Sequence, residues 1–411
     1  MKNHILFLVV LLTTLGFSQP TGDPIVITGD QLIGGEINGR PTREFLGNVV
    51  VNHQNVVITC NRAIQYLDQN YAQLIGNVVV RQDTLTIKTQ EGFYYGNEKR
   101  AYSDKGVVLD DKKVILKALK GEYLFNEYLA LFKYDVSLTD SFTVLKSDDL
   151  HYNRGSAIAT AFGNVSIVDS VNTIYCDSLQ HHRSQQETFG FGNVKILNSK
   201  DDAVIVGGRF EDFRRTRVSR VFEDPLLFQI EKSDSAQADT LLIAAEILEA
   251  VRDTADVFYA RDSVSILRGD FSSVNSFTVY HKKLGIITTA KQSRNEAYPV
   301  MWSGTSEISG DSIVIVLQGN KLEIAKVFRN ALITSFPEAY PKRYDQIAGR
   351  NIFLSFIGGK LSETNVQGNV LSIYYMYEND APNGLIKSSG ADAIIRFNEN
   401  QVEEVRLYGD P

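Results

Sequence analysis

Five guanidinium groups fall within twelve residues, at Arg209, Arg214, Arg215, Arg217 and Arg220, and form the densest charge cluster of the sequence. Guanidinium pairs with phosphate through parallel hydrogen bonds, so the cluster could hold the phosphates of an anionic ligand. Glu211, Asp212, Glu223 and Asp224 stand among these arginines. An ordinary solvated strand face, balanced by those carboxylates, accounts for the same residues without a ligand. The adjacent pair His181-His182 would send one ring inward and one to water if it lies on a strand, because successive strand residues point to opposite faces. Carboxylates such as Asp110-Asp111 and Asp148-Asp149 recur near expected turns. Acid–base catalysis needs one unequal pair and not a periodic set, so turn solvation is the better account. The sequence has no glycine-rich phosphate loop, no Gly-x-Ser-x-Gly elbow and no His-Glu-x-x-His. No catalytic residue, metal or cofactor is therefore expected.

The elements that carry these residues belong to a chain of 411 residues with 43% apolar and 22% charged side chains. That composition suits a long folded core and excludes disordered and disulfide-scaffold classes. A net charge of -7 argues against a nucleic-acid partner, which asks for a basic surface. Met1-Lys2-Asn3-His4 precede an apolar run from Ile5 to Leu12 that continues through Phe17 to Ser18. This is the pattern of a cleaved secretory signal over residues 1–18.

A repeat organises the remainder of the chain. Gly-Asn-Val occurs at Gly47-Asn48-Val49, Gly76-Asn77-Val78, Gly163-Asn164-Val165, Gly192-Asn193-Val194 and Gly368-Asn369-Val370. A comb of 29 residues laid on Val49 falls on Val78, Val107, Val136, Val165 and Val194. Two residues further on it reads Val51, Val80, Leu109, Leu138, Ile167 and Ile196. A third aliphatic column is Ile58, Ile87, Leu116, Leu145 and Ile174. Small residues form two more columns: Ala72, Ala101, Ala130, Ala159 and Thr188, and Cys60, Thr89, Ala118, Ser147 and Cys176. Alternation of β-branched and polar residues predicts two strands per repeat, and a mid-strand Gly-Asn predicts a bend in each. Since Asn77, Ser166 and Lys195 are polar, the valine columns are expected to face inward. Past Val194 the comb slips, with weaker copies at Asp224-Pro225, Asp262-Ser263, Gly304-Thr305 and Asn330-Ala331, giving about twelve turns. Cys60 and Cys176 share one column four turns apart, too far for a bridge, so two free buried thiols are predicted.

A secretory start followed by Gly-Asn-Val strand repeats, with Val171-Asn172-Thr173-Ile174-Tyr175-Cys176-Asp177 leading to the next Gly192-Asn193-Val194, resembles the OstA-like family. That family includes the periplasmic bridge of lipopolysaccharide transport and the periplasmic domain of its outer-membrane translocon. The resemblance implies an all-β, twisted antiparallel β-jellyroll, a V-shaped open trough that carries lipid A acyl chains. It further implies subunits joined head-to-tail through end strands, and partners among the transport components of the inner and outer membranes. The chain is longer than the simple bridge and suggests a long member of the Bacteroidetes type.

The expected organisation is a signal peptide at 1–18, regular repeats over 19–230, and a continuation or second jellyroll over 231–411. The lipid groove is expected at Val49, Val51, Ile58, Val78, Val80, Ile87, Val107, Leu109, Leu116, Val136, Leu138, Val165, Ile167, Ile174, Val194 and Ile196. Two other classes remain open from the residues alone. One is a structural or adhesive β-solenoid with a filled core, and the other a β-helix enzyme acting on polysaccharide.

Overall fold

The computed structural model describes residues 24–200, 202–231, 239–252, 256–269, 271–318, 321–336, 339–340, 342–358, 360–378, 381–398 and 401–409. The signal expected at 1–18 lies outside them. The described residues form 31 β-strands and one short 3-10 turn, Lys282–Leu284. The fold is an all-β, repeat-built antiparallel jellyroll. The chain divides into two compact units, 1–136 and 137–411, while the regular period extends to Val194.

In the first unit the repeat yields the strands Arg40–His53, Val56–Tyr66, Tyr71–Gln82 and Leu85–Tyr95, two for each 29 residues. Register aligns the aliphatic columns across strands, with Val51 opposite Ile58, Ile58 opposite Val80 and Val80 opposite Ile87. The second unit builds the same row from Leu145, Ile167, Ile174 and Ile196, and extends it through Ile205, Leu227 and Ile243. Branched side chains on a pleated surface pack directly against their cross-strand neighbours, and such rows hold the sheet together.

Each Gly-Asn sits where the register shifts, between Leu46 and Val49, Ile75 and Val78, Phe162 and Val165, and Phe191 and Val194. Both residues take left-handed backbone angles, for example Gly163 at φ 70° and Asn164 at φ 45°. The Asn side chain donates to a carboxylate of the preceding strand, Asn164 to Asp148 at 2.7 Å and Asn193 to Asp177 at 2.8 Å. A Cβ at position 163 would lie 2.6 Å from an Asp148 oxygen, which is why glycine stands there. The bend divides each strand into two arms, so that the sheet faces itself across an apolar interior.

Past Val194 the corners persist without glycine, at Glu223-Asp224, Asp262-Ser263 and Arg329-Asn330, all with positive φ. The copy expected at Gly304-Thr305 is different. It is a hairpin tip joining Val300–Ser303 to Ser306–Ser309. The corner of that region lies at Gly310-Asp311, between two strands that pair with opposite arms of Lys321–Ser335, and Asn330 donates to Asp311 at 3.0 Å.

Candidate lipid-binding interior

All the columns expected to form the groove point into the interior. Fifteen of the sixteen residues are buried, and Ile174 is half-buried. Asn77 and Lys195, between them in sequence, are exposed. In the first unit the arms close on each other: Leu74, Tyr123 and Phe132 from one arm meet Val78, Val80 and Val107 from the other around a void of about 20 Å³. The open side, opposite the corners, is sealed as well. His53 Nδ1 and Tyr94 OH share a buried hydrogen bond of 2.7 Å, and Lys99 reaches Gln54 across the seam.

A further column explains the seal. Tyr94, Tyr123 and Tyr152 are spaced by 29 residues, and each stands opposite an alanine, Ala101, Ala130 and Ala159. Their relative exposures are 0%, 1% and 1%. A large ring over a small partner fills the seam end of these three turns. The next turn breaks the rule in both columns at once: His181 replaces the tyrosine and Thr188 the alanine. The two are hydrogen-bonded, His181 Nδ1 to Thr188 Oγ1, at 2.9 Å. At that place, within the second unit, a cavity of about 120 Å³ opens.

Its inner wall is apolar, made by Ile167, Ile174 and Phe210, and its rim is polar. Two contacts span the seam there. Arg183 lies 4.0 Å from Asp140, and the Arg214 guanidinium lies 5.5 Å from the Phe142 ring centre. Burial, then the Arg183 and Arg214 charges, hold the His181 pKa below its ordinary value against the opposite pull of Asp140, so the ring is neutral at pH 7. Burial alone would raise the Asp140 pKa. The Phe142 and Thr143 N–H groups, the Thr143 hydroxyl and Arg183 outweigh it and hold the carboxyl below its usual range.

The arginine cluster is divided between two places. Arg209 and Arg220 point out of the sheet, opposite to the buried Phe210 and Val221. Arg209 pairs with Glu211 at 3.2 Å, and Arg220 with Glu249 at 2.5 Å. Arg214, Arg215 and Arg217 belong to the turn between Ala203–Phe213 and Val218–Phe222, where Arg215 donates to the Ser184 carbonyl at 2.5 Å. Of the five, only Arg214 lines the cavity. The arginine cluster contributes Arg214 to this site and the histidine pair contributes His181, but neither signal alone locates it in the sequence. The 29-residue comb laid on Tyr94 does, because it reaches His181 after three tyrosines.

Residues 25–154 match the family model described as OstA-like protein. This segment is OstA-like. The match ends beside Tyr152, the last tyrosine of the seam column, so the OstA-like segment covers the sealed turns and stops before His181. No curated protein matches the chain. Among the described residues no helix is long and apolar enough to cross a membrane, and no group of three or more His, Cys, Asp or Glu could hold a metal ion. Cys60 and Cys176 are buried free thiols, each pushed up to about 11 by burial.

Proposed function

We propose that the chain is a periplasmic lipid carrier or bridge in lipopolysaccharide transport to the outer membrane, with lipid A acyl chains held against its interior columns. The observation that carries this reading is the OstA-like segment over residues 25–154, a segment of a transport and binding family and not of an enzyme family. The physics of the interior is consistent with it. Acyl burial contributes about 0.8 kcal/mol per methylene and has no directional lock, so a chain can slide along the row Ile167, Ile174 and Ile196. Energy for directed movement then comes from partners. The end strands suit such partners, since Gln31–Ile37 exposes Leu32 at 59% and Gln401–Tyr408 exposes Val405 at 55%. Head-to-tail self-association would use the same edges.

The small void in the first unit favours a second reading, a structural β-solenoid with a filled core. Photo-crosslinkers at Val80, Ile167 and Ser166, in protein made in its native envelope, separate the two. The carrier reading expects lipid on Ile167, and on Val80 when the seam of the first unit opens, with none on Ser166. Native mass spectra free of lipid, with no crosslink at any of the three, would leave the solenoid.

A further inference from the structure

We propose that the cavity behind His181 binds a sugar ring, the headgroup of a glycolipid whose acyl part lies on Ile167, Ile174 and Phe210. The inference rests on the carrier reading and names the place and chemistry of its polar end. Size is the first argument: the cavity of about 120 Å³ is smaller than the ~150 Å³ that encloses benzene but opens at its rim, so a sugar ring would enter edge-first with the rest of the ring on the rim. The second argument is that both repeat columns depart from their rule in the same turn. Replacing a buried tyrosine–alanine pair by histidine and threonine gives up apolar packing and puts hydrogen-bonding groups in its place.

The rim chemistry selects a polyol over an anion. Three carboxylates, Asp140, Asp169 and Asp212, face the cavity against two guanidinium groups, Arg183 and Arg214, with His181 neutral. Arg252, bonded to Asp212 at 2.5 Å, brings the charges into balance, so a phosphate there would meet no net positive charge. A sugar hydroxyl both donates and accepts, so it can use either kind of group. Each carboxylate gives its Oδ1 to its own surroundings. Asp169 Oδ1 accepts from the Val171 and Asn172 N–H groups at 2.8 and 2.7 Å, and Asp212 Oδ1 from Ser219 and Arg252 at 2.6 and 2.5 Å. Asp169 and Asp212 are thus fixed at the rim by their own turns, beside the donors of Arg214 and Gln186. Phe142, 69% exposed on the rim, offers an aromatic face for the ring.

The test uses the full mature chain and two probes with the same alkyl tail, n-octyl β-D-glucoside and n-octyl phosphate, both below micelle formation. Calorimetry should give about tenfold tighter binding of the glucoside, and saturation transfer should reach its ring protons. His181→Tyr restores the tyrosine of the column and should abolish that preference while the octyl tail still binds. Arg214→Ala, at an exposed turn that leaves the core intact, should weaken the glucoside by about tenfold. Equal or tighter binding of the phosphate, or a preference unchanged in both variants, overturns the sugar site alone. Failure of both amphiphiles to bind overturns the carrier reading and this inference with it.

Discussion

The seam of residues 24–136 and the seam around His181 are built from one repeat and reach opposite outcomes. In the first, Tyr94 and Tyr123 close the interior down to a void of about 20 Å³. In the second, an imidazole and a hydroxyl in the same two columns leave about 120 Å³. Backbone geometry is conserved between them, since Gly76-Asn77 and Gly192-Asn193 make the same left-handed corner. At the seam the two differ in one column pair, tyrosine over alanine in the first and His181 over Thr188 in the second. A 29-residue solenoid keeps its frame with corners and cross-strand aliphatic rows. It can open or close any one turn by changing two residues at the far end of the arms.

The largest expected effect comes from removing a seal. Tyr123→Ala should destabilise the first unit by about 3–5 kcal/mol, the range for deleting a large buried ring. His181→Ala should cost well under half of that, because the ring already borders a cavity. Denaturant melts of the full chain, followed by hydrogen exchange of segments from each unit, would resolve both. Equal costs would mean that the two seams are packed alike, and the comparison would fail.

Next come the corners. Gly163→Ala places a side chain at φ 70° and a Cβ 2.6 Å from Asp148, so a loss of about 1–3 kcal/mol is expected, with bending lost locally. Arg329→Gly, at a corner that already tolerates a side chain at φ 55°, should be neutral or stabilising by up to about 1 kcal/mol. Thermal melts of the two variants check the sign. These corners also decide how much of the fold was legible. Gly47-Asn48 through Gly192-Asn193 announce themselves because a carboxylate or amide beneath them leaves no room for a Cβ. Tyr134-Asp135, Glu223-Asp224 and Arg329-Asn330 make the same bend without a residue signature, so the comb fades although the geometry continues. Gly304 carries the glycine signature and makes a hairpin. The valine columns fix which face is inside, because their polar neighbours alternate with them. The site was less legible, since nothing in a lone histidine tells a filled seam from an open one until the tyrosine column is laid beside it.

A smaller effect separates the seams by pH. The His181 pKa is lowered on folding, so the folded state resists protonation relative to the unfolded chain. Stability from this group is complete above the unfolded value of about 6.5 and declines as pH falls from there through the folded value. The depressed Asp140 carboxyl acts in the same sense at lower pH, its contribution vanishing as pH falls through its folded value. Protection factors at residues 140–143 and 183–186, exchange being corrected for its intrinsic base-catalysed rate at each pH, should fall between pH 7 and 5.5. His181→Tyr should remove that change. Protection that is flat over this interval in the unmodified chain would show that the folded chain does not shift the His181 pKa.

The smallest effect uses the two thiols as reporters of the same difference. Cys60 and Cys176 occupy one column, are equally buried at 6% and 5%, and both have a pKa raised to about 11 by burial. At pH 8 the thiolate fraction in place is on the order of one in a thousand. Maleimide therefore reacts mainly through transient opening of the surrounding turn, and the labelling rate reports how often that turn opens. Cys60 belongs to the unit closed by the tyrosine seam. Cys176 stands on the strand Asn172–His182, which carries Ile174 and His181 into the cavity wall. With exposure and pKa matched, faster labelling of Cys176 isolates the looser packing of its turn. His181→Tyr should slow it toward the Cys60 rate while leaving Cys60 unchanged. If Cys60 reacts first, or if the substitution slows both alike, the openness of the second seam does not reach the backbone. The cavity would then be a rigid pocket in a closed wall.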